Sequence, residues 1–82
     1  MAKVKLFWRE NCPKCPSAKV LLADSSNVNY FNVDEVDGLA EAAFHGVLST
    51  PSIVVTEDDG REIKAWHGEV PIKDEIGKWL FR

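Results

Sequence analysis

The 82-residue sequence lacks the features that mark several large classes of protein. It has no apolar run long enough to cross a membrane and no signal-peptide pattern near its first residue, so we expect a cytoplasmic protein. The net charge of −3 argues against nucleic acid as the main partner. No repeat, linker or low-complexity stretch divides the chain, and its length suits one domain, residues 1–82, with one core.

Cysteine is also scarce, since Cys12 and Cys15 are the only two. A structural zinc site usually takes four protein ligands. The other candidate ligands, His45 and His67, lie 22 positions apart, which fits no zinc-finger spacing, so we expect no metal site. A purely structural disulfide is a second possibility, but closing so short a loop removes little entropy from the unfolded chain, about 2 kcal/mol.

The two cysteines that are present form the motif Cys12-Pro13-Lys14-Cys15 between an apparent strand, Val4–Trp8, and a helix-like run, Pro16–Asp24. A Cys-x-x-Cys pair at a passage from strand to helix is a redox signature. Pro13 suits the first position of a helix because the N–H that it lacks would have no partner there. The unpaired N–H groups and the positive end of the helix dipole favour a thiolate at Cys12. We therefore predict that the pKa of the Cys12 thiol lies below the roughly 8.5 of a free thiol.

Pro16 complicates the start of that helix because it cannot donate a hydrogen bond to the Cys12 carbonyl. Either this turn is loosened or the regular helix begins at Pro16. In both cases we expect the N–H groups of Lys14 and Cys15 to stay free to face the Cys12 sulfur.

Positive charge is concentrated in the first part of the chain. Residues 1–22 hold five basic residues and one acidic residue, a sum of +4. Arg9 and Lys14 are expected to help hold a thiolate at Cys12. Lys3 and Lys5 lie farther from the motif, and we interpret them as solvated surface residues.

Hydrophobic patterning predicts the element order βαβαββα. Two asparagines in the second strand suggest an edge position. The remaining predicted strands and helix boundaries are Val28–Val33, Ser52–Thr56 and Glu62–Trp66 for the strands, Asp34 or Asp37 to Gly46 for the second helix, and Pro71 as the start of the third.

Each predicted helix carries an apolar stripe at helical spacing, which we expect to face the core. The stripes are Cys15, Ala18, Leu21 and Leu22 in the first helix, Leu39, Ala40, Ala43 and Phe44 in the second, and Ile72, Ile76, Trp79 and Leu80 in the third.

The redox motif after the first strand, together with a proline before the third, makes the whole chain resemble the thioredoxin superfamily, close to its minimal size. Cys12-Pro13-Lys14-Cys15 is similar to the Cys-Pro-x-Cys of glutaredoxins, and Arg9 matches a basic position common in that group. Thr50-Pro51-Ser52 matches the cis-proline segment of both groups, whereas the long hairpin from Pro51 to Gly68 resembles that of thioredoxins.

The resemblance implies an α/β protein with a minimal thioredoxin fold, a four-stranded mixed sheet with helices on both faces. Strands one and two would be parallel, and strands three and four would add antiparallel. The Thr50–Pro51 bond would be cis. Thr50, Pro51 and Gly68 would lie beside the cysteines and contact the substrate, with the Thr50 backbone pairing with an extended peptide.

The function implied is that of a thiol–disulfide oxidoreductase that reduces or exchanges protein disulfides, in which Cys12 attacks and Cys15 resolves the mixed disulfide. No metal or organic cofactor is needed, since glutathione or a thioredoxin-type reductase would supply the electrons. The partners would be disulfide-containing proteins and that electron donor, and we expect a monomer. The alternative is a glutaredoxin-type module in which two chains each give Cys12 to an iron–sulfur cluster.

Overall fold

Four strands and three helices follow one another in the predicted order along the residues that the computed structural model describes, 2–25 and 27–80. Most boundaries lie within one or two residues of the predicted ones. In chain order the elements are β1 (Lys3–Trp8), α1 (Cys15–Leu22), β2 (Val28–Asn32), α2 (Val36–Phe44), β3 (Ser52–Thr56), β4 (Glu62–His67) and α3 (Lys73–Leu80).

The strands form one mixed sheet in the order β2-β1-β3-β4. β1 runs parallel to β2, with Trp8 opposite Asn32, and antiparallel to β3, with Phe7 opposite Ser52. β4 pairs antiparallel with β3, which places His67 opposite Ser52 as well. The implied sheet layout is confirmed, and so is the edge position of the asparagine-bearing strand β2.

Helices cover both faces of this sheet. β1 places neighbouring residues in two cores, because Leu6 and Phe7 are both fully buried on opposite faces. Leu6 packs with Ala18 of α1 and Ile76 of α3. Phe7 packs with Ala42 of α2 and stacks on Phe31, with ring centroids 5.3 Å apart. The centre of the sheet is therefore enclosed, as a strand that is apolar on both sides indicates.

The predicted apolar stripe of α2, Leu39, Ala40, Ala43 and Phe44, is exposed, so that expectation is wrong. The helix instead buries Gly38 and Ala42. A Cβ atom at Gly38 would lie 1.9 Å from the carbonyl oxygen of Asn32, so only glycine permits this contact. Two small residues, one turn apart, thus let the backbone of α2 lie directly against the end of β2.

The ends of two helices also differ from the prediction. Neither Asp34 nor Asp37 caps α2; Glu35 holds that position and makes no side-chain capping bond. In α3 the stripe is shortened, because the helix begins at Lys73 and Ile72 is left exposed before it. The other three residues of that stripe pack against the core as predicted.

Lys5 is not a solvated surface residue. Its ammonium pairs with the Glu41 carboxylate and lies 3.0 Å from Nε2 of His45. Because an ammonium only donates, Nε2 accepts, and the proton on Nδ1 is directed at Glu62 Oε1, 3.2 Å away. This charged cluster joins β1, α2 and β4, and the His45 side chain within it is 3 % exposed.

Candidate functional site

The segments that the sequence predicts to carry function meet at one end of the sheet. The antiparallel register sets Phe7 of β1 opposite Ser52 of β3, and Ser52 opposite His67 of β4. Three segments must therefore lie at the same end of the sheet: the loop from β1 to the cysteines, the Thr50–Pro51 segment before β3, and Gly68 after β4. The sheet itself brings together residues that are up to 56 positions apart in the chain.

Cys12 and Cys15 form a disulfide, with their Cα atoms 5.4 Å apart. The two sulfurs differ in their surroundings. Cys12 lies in the loop and is partly exposed, whereas Cys15 is the first residue of α1 and is 3 % exposed. Solvent therefore reaches the pair from the side of Cys12.

The start of α1 differs in detail from the prediction. Lys14 is the N-cap, so Cys12 lies before the helix and is not its capping residue. Because Pro16 has no N–H, the Cys12 carbonyl accepts a hydrogen bond from the Cys15 N–H instead, at 3.3 Å. The expectation that the Cys15 N–H stays free to face the Cys12 sulfur is therefore wrong for this disulfide state.

Asn11 lies in the backbone turn that directly precedes Cys12. Its φ angle is +61°, in the left-handed region that few side chains adopt. Asparagine tolerates this region better than most residues because its short side-chain amide can form hydrogen bonds with nearby groups. Asn11 lies between β1 and the redox motif, so this one residue redirects the chain from the strand into the Cys12 turn.

We expect Asn11→Val to destabilise the protein and Asn11→Gly to leave it nearly unchanged. A β-branched residue at this φ costs about 1–2 kcal/mol, which lowers the Tm of a small domain by about 4–16 °C. Thermal unfolding by circular dichroism measures this, and the rate of Cys12 alkylation reports whether the turn still presents the thiol. Equal destabilisation by both substitutions would show that the amide side chain, and not the backbone angle, is what matters.

The segment before β3 is held in place by its own hydrogen bonds. The Thr50–Pro51 peptide bond is cis. The Pro51 carbonyl accepts from the Gly68 N–H at 2.9 Å, and Ser52 Oγ donates to the Ser49 carbonyl at 2.7 Å. Within the described residues, the backbone of Thr50 makes no hydrogen bond. Its N–H and C=O therefore have no backbone partner among these residues.

Gly68 allows this arrangement in two ways. Its φ is +73°, which favours glycine, and a Cβ atom there would lie 2.9 Å from the Ser49 hydroxyl. Gly68 thus contacts Pro51 through its backbone, and a side chain at this position would press on the neighbouring loop. The predicted contact of Gly68 with a substrate stays a prediction.

The basic residues near the motif have other contacts. The Arg9 guanidinium lies 3.3 Å from the Asp34 carboxylate, and both side chains are about half exposed. This pair links the loop after β1 to the loop after β2, and an exposed pair of this kind contributes little stability. Lys14 is exposed and uses its carbonyl to accept the Ala18 N–H. Pro13 is exposed beside it.

A contact that the sequence did not predict joins Trp8 to Lys19. The Lys19 ammonium lies 3.6 Å from the centroid of the Trp8 ring, a cation–π distance. Trp8 ends β1 and Lys19 follows Cys15 by one helical turn, so the contact fastens α1 to the strand that leads to Cys12. No local pattern reveals it because the two residues belong to different elements.

A cleft of about 230 Å³ opens between the site and α2. It is lined by Arg9, Val33, Leu39, Ala42, Val47, Leu48, Ser49 and Thr50. Arg9 and Thr50 come from the two segments that flank the cysteines, and most of the apolar side chains come from α2 and the loop after it. The cleft therefore connects the Arg9 loop and the Thr50 segment to the surface of α2.

Among residues 2–25 and 27–80, no group of three or more His, Cys, Asp or Glu side chains could hold a metal ion. Over the same residues, none of the helices is long and apolar enough to cross a membrane.

Trp66 is buried in the core with α1 and α3, while His67 is exposed at the end of β4.

Comparison with known sequences identifies relatives over most of the chain. Residues 2–81 match a family model described as a thioredoxin domain. A thioredoxin from Methanocaldococcus jannaschii is 32% identical over 63 residues, which cover 68% of this chain and 72% of that protein.

Solved structures with the same fold include thioredoxins. A variant thioredoxin from Halobacterium salinarum superposes with a TM-score of 0.76 at 23% identity, covering 94% of this chain and 69% of that one. A thioredoxin from Thermus thermophilus gives a TM-score of 0.69 at 22% identity, covering 96% of this chain and 71% of that one. At these identities the similarity shows the shared fold.

Proposed function

We propose, from the premise that this chain belongs to the thioredoxin family, that it reduces protein disulfides through a mixed disulfide at Cys12. The family and the cysteine pair support a thiol–disulfide redox role in general. The observation that supports the finer assignment is the unequal exposure of the two sulfurs. A substrate disulfide must be reached by the attacking sulfur, and Cys12 is the partly exposed one, whereas Cys15 is 3 % exposed.

The proposed reaction has two exchanges. The Cys12 thiolate attacks one sulfur of the substrate disulfide, a bond between Cys12 and that sulfur forms, and the other substrate sulfur leaves as a thiolate that takes up a proton. Cys15 then loses its proton and attacks the Cys12 sulfur. The bond between Cys12 and the substrate breaks, and the second substrate thiolate leaves and is protonated. Two electrons and two protons have passed from the dithiol to the substrate.

Backbone groups would position the substrate for the first exchange. Thr50 has an N–H and a C=O without partners in the described chain, next to the cis bond to Pro51. An extended peptide that pairs with Thr50 would place its cystine at the partly exposed Cys12. Gly68 supports this geometry through its hydrogen bond to the Pro51 carbonyl. Members of this family work without a bound cofactor, and the proposed exchanges require none.

The electron donor is tested by a coupled assay with a disulfide-containing protein as substrate. One reaction contains glutathione with its NADPH-dependent reductase, and the other contains an NADPH-dependent thioredoxin-type reductase. We expect sustained loss of NADPH absorbance in at least one of the two, together with the loss of two thiols per chain when the reduced protein meets the substrate without a donor. A reduced protein that keeps both thiols after this treatment would refute the proposed function.

A further inference from the structure

The two edges of the sheet differ in how well they are protected against pairing with another strand. β2 and β4 are the outer strands, and an outer strand leaves a row of backbone N–H and C=O groups open to a further strand. Charged side chains and an irregular register are among the features that block such pairing. β4 has both, because it contains Glu62 and Lys64 and its register with β3 shifts between Val55 and Thr56.

β2 has neither of these protections. It lies within residues 25–33, a stretch of the sequence that contains no charged residue and no proline. Its five residues pair with β1 in an unbroken parallel register. Among residues 2–25 and 27–80, no strand pairs with its outer side. β2 is therefore a regular, uncharged edge, which is the kind that accepts a further strand.

The hydrogen bonds to β1 indicate which backbone groups of β2 point outward. The Val33 N–H, directly after the strand, donates to the Trp8 carbonyl at 2.9 Å. Alternate residues of a parallel strand bond to the same neighbour, so the odd-numbered residues of β2 bond to β1. The even-numbered residues, Val28, Tyr30 and Asn32, direct their N–H groups away from it. An approaching strand would meet these three N–H groups.

A second copy of β2 is complementary to this edge. Two β2 strands that run antiparallel about a twofold axis place Tyr30 opposite Tyr30 of the second copy, where the two residues exchange both backbone hydrogen bonds. The flanking pairs are then Asn29 with Phe31 and Val28 with Asn32. No charge faces another in this register. The tyrosine side chains, 48% exposed in the single chain, become a directly opposite aromatic pair, which stabilises strand pairing.

The two ends of β2 also carry complementary groups. The Val28 end borders an open polar cleft of about 280 Å³, which Lys3 lines together with residues 27–29. The other end leads to Glu35, which is exposed and makes no side-chain capping bond. The antiparallel arrangement brings the acidic end of each copy to the lysine-lined end of the other.

We propose that β2 is a dimerisation edge, at which two copies of this chain join their sheets into one. A second copy is the occupant because its own β2 matches the edge in backbone groups, in side chains and in the charges at its ends. The inference does not rest on the proposed function, and it replaces the monomer that the family resemblance implies. Cys12 follows β1, which runs parallel to β2, so the two redox pairs lie at opposite ends of the joined sheet.

The size of the contact predicts a weak and reversible dimer. One strand of five residues buries far less than the roughly 800 Å² per partner of a stable interface. We therefore expect a monomer at about 20 µM and mostly dimer at about 1 mM. Sedimentation velocity at the two concentrations measures this.

Amide hydrogen exchange, measured by NMR at the same two concentrations, locates the contact. The outward N–H of Tyr30 should exchange more slowly at the higher concentration, because it is bonded only in the dimer. The N–H of Asn29 bonds to β1 in both states and should exchange at the same rate at both concentrations. This pair of neighbouring amides distinguishes edge pairing from association through a face of the protein.

Tyr30→Lys places two ammonium groups directly opposite each other across the twofold axis. Like charges in such a pair are destabilising, so we expect the dissociation constant to rise at least about tenfold. Tyr30→Phe keeps the aromatic pair and should keep the dimer. Val20→Lys adds the same charge at an exposed position of α1 and should keep it as well. Circular dichroism should show that all three variants are folded.

Four results would overturn the inference. The first is a monomer at the higher concentration. The second is an equal loss of the dimer in Tyr30→Lys and Val20→Lys, which would show that net charge and not the β2 edge controls association. The third is a dimer with unchanged exchange at Tyr30, which would place the contact on another surface. The fourth is a dimer that Cys12→Ser dissociates, which would place the contact at the redox pair, as in a cluster-bridged module.

Discussion

Cys12→Ser is expected to abolish disulfide reduction, whereas Cys15→Ser is expected to accumulate a stable mixed disulfide with the substrate. Serine at position 12 removes the attacking thiolate. Serine at position 15 leaves Cys12 able to attack, but no second thiol can release the product. The adduct is measured by mass spectrometry of the intact protein after incubation with a disulfide substrate, with and without a reducing agent.

The unequal exposure of the two sulfurs indicates which cysteine attacks. Cys12 is partly exposed and Cys15 is the buried first residue of α1. Alanine in place of either cysteine provides a control that removes any hydrogen bond from the serine hydroxyl. If Cys15→Ala traps no substrate while Cys12→Ala does, the attacking and resolving roles are reversed.

Gly38→Ala is expected to be the most damaging single substitution outside the cysteines. The new methyl carbon would lie 1.9 Å from the Asn32 carbonyl oxygen, a backbone atom that cannot move aside alone. The helix α2 must then shift away from β2. Overpacking of this kind costs about 3 kcal/mol, which lowers the Tm of a domain of this size by about 12–24 °C.

Gly77→Ala is the matched control. Gly77 is also a helical glycine, but no atom lies within 4 Å of the position that an added methyl carbon would take. Replacing glycine by alanine within a helix stabilises it by up to about 1 kcal/mol, so we expect the Tm to rise slightly. Thermal unfolding of the two variants beside the unmodified protein measures the difference. If both alanine variants melt at the same temperature, the close approach of α2 to Asn32 does not contribute to stability.

The strands and the redox motif could be predicted because their signals are local. A run of apolar residues marks β1, the hairpin turn at Asp59-Gly60 separates β3 from β4, and Cys12-Pro13-Lys14-Cys15 closely follows the first strand. Sheet order and strand direction came from the family resemblance, since no single strand carries that information.

The orientation of α2 could not be predicted, because the helix is apolar almost all round. Its larger side chains, such as Leu39 and Phe44, dominate any periodic pattern, and that pattern assigns them to the core. Which face is buried is decided instead by a backbone approach that only Gly38 permits. A glycine inside a helix usually indicates a weak point, so the signal for the true inner face was present but small.

The predictions for Lys5 and Ile72 are also wrong. Lys5 alternates with apolar residues as a surface lysine of a strand does, but Glu41 and His45 arrive over it from another part of the chain. Ile72 fits the spacing of the α3 stripe, but the helix starts one residue later. The outcome for Lys5 depends on tertiary contacts, and that for Ile72 on the exact start of the helix, and sequence spacing encodes neither.

The contact between α2 and the sheet has a consequence for how the protein opens. Gly38 and Ala42 bury little apolar surface, and the C-terminal end of the helix is held by the Lys5 cluster. Backbone amides exchange with solvent through the least costly local opening. The amides of α2 should therefore exchange earlier than those of β1 and β3, whose side chains fill both cores. An opened α2 would remove one wall of the cleft while the strand and helix that hold Cys12 and Cys15 stay folded.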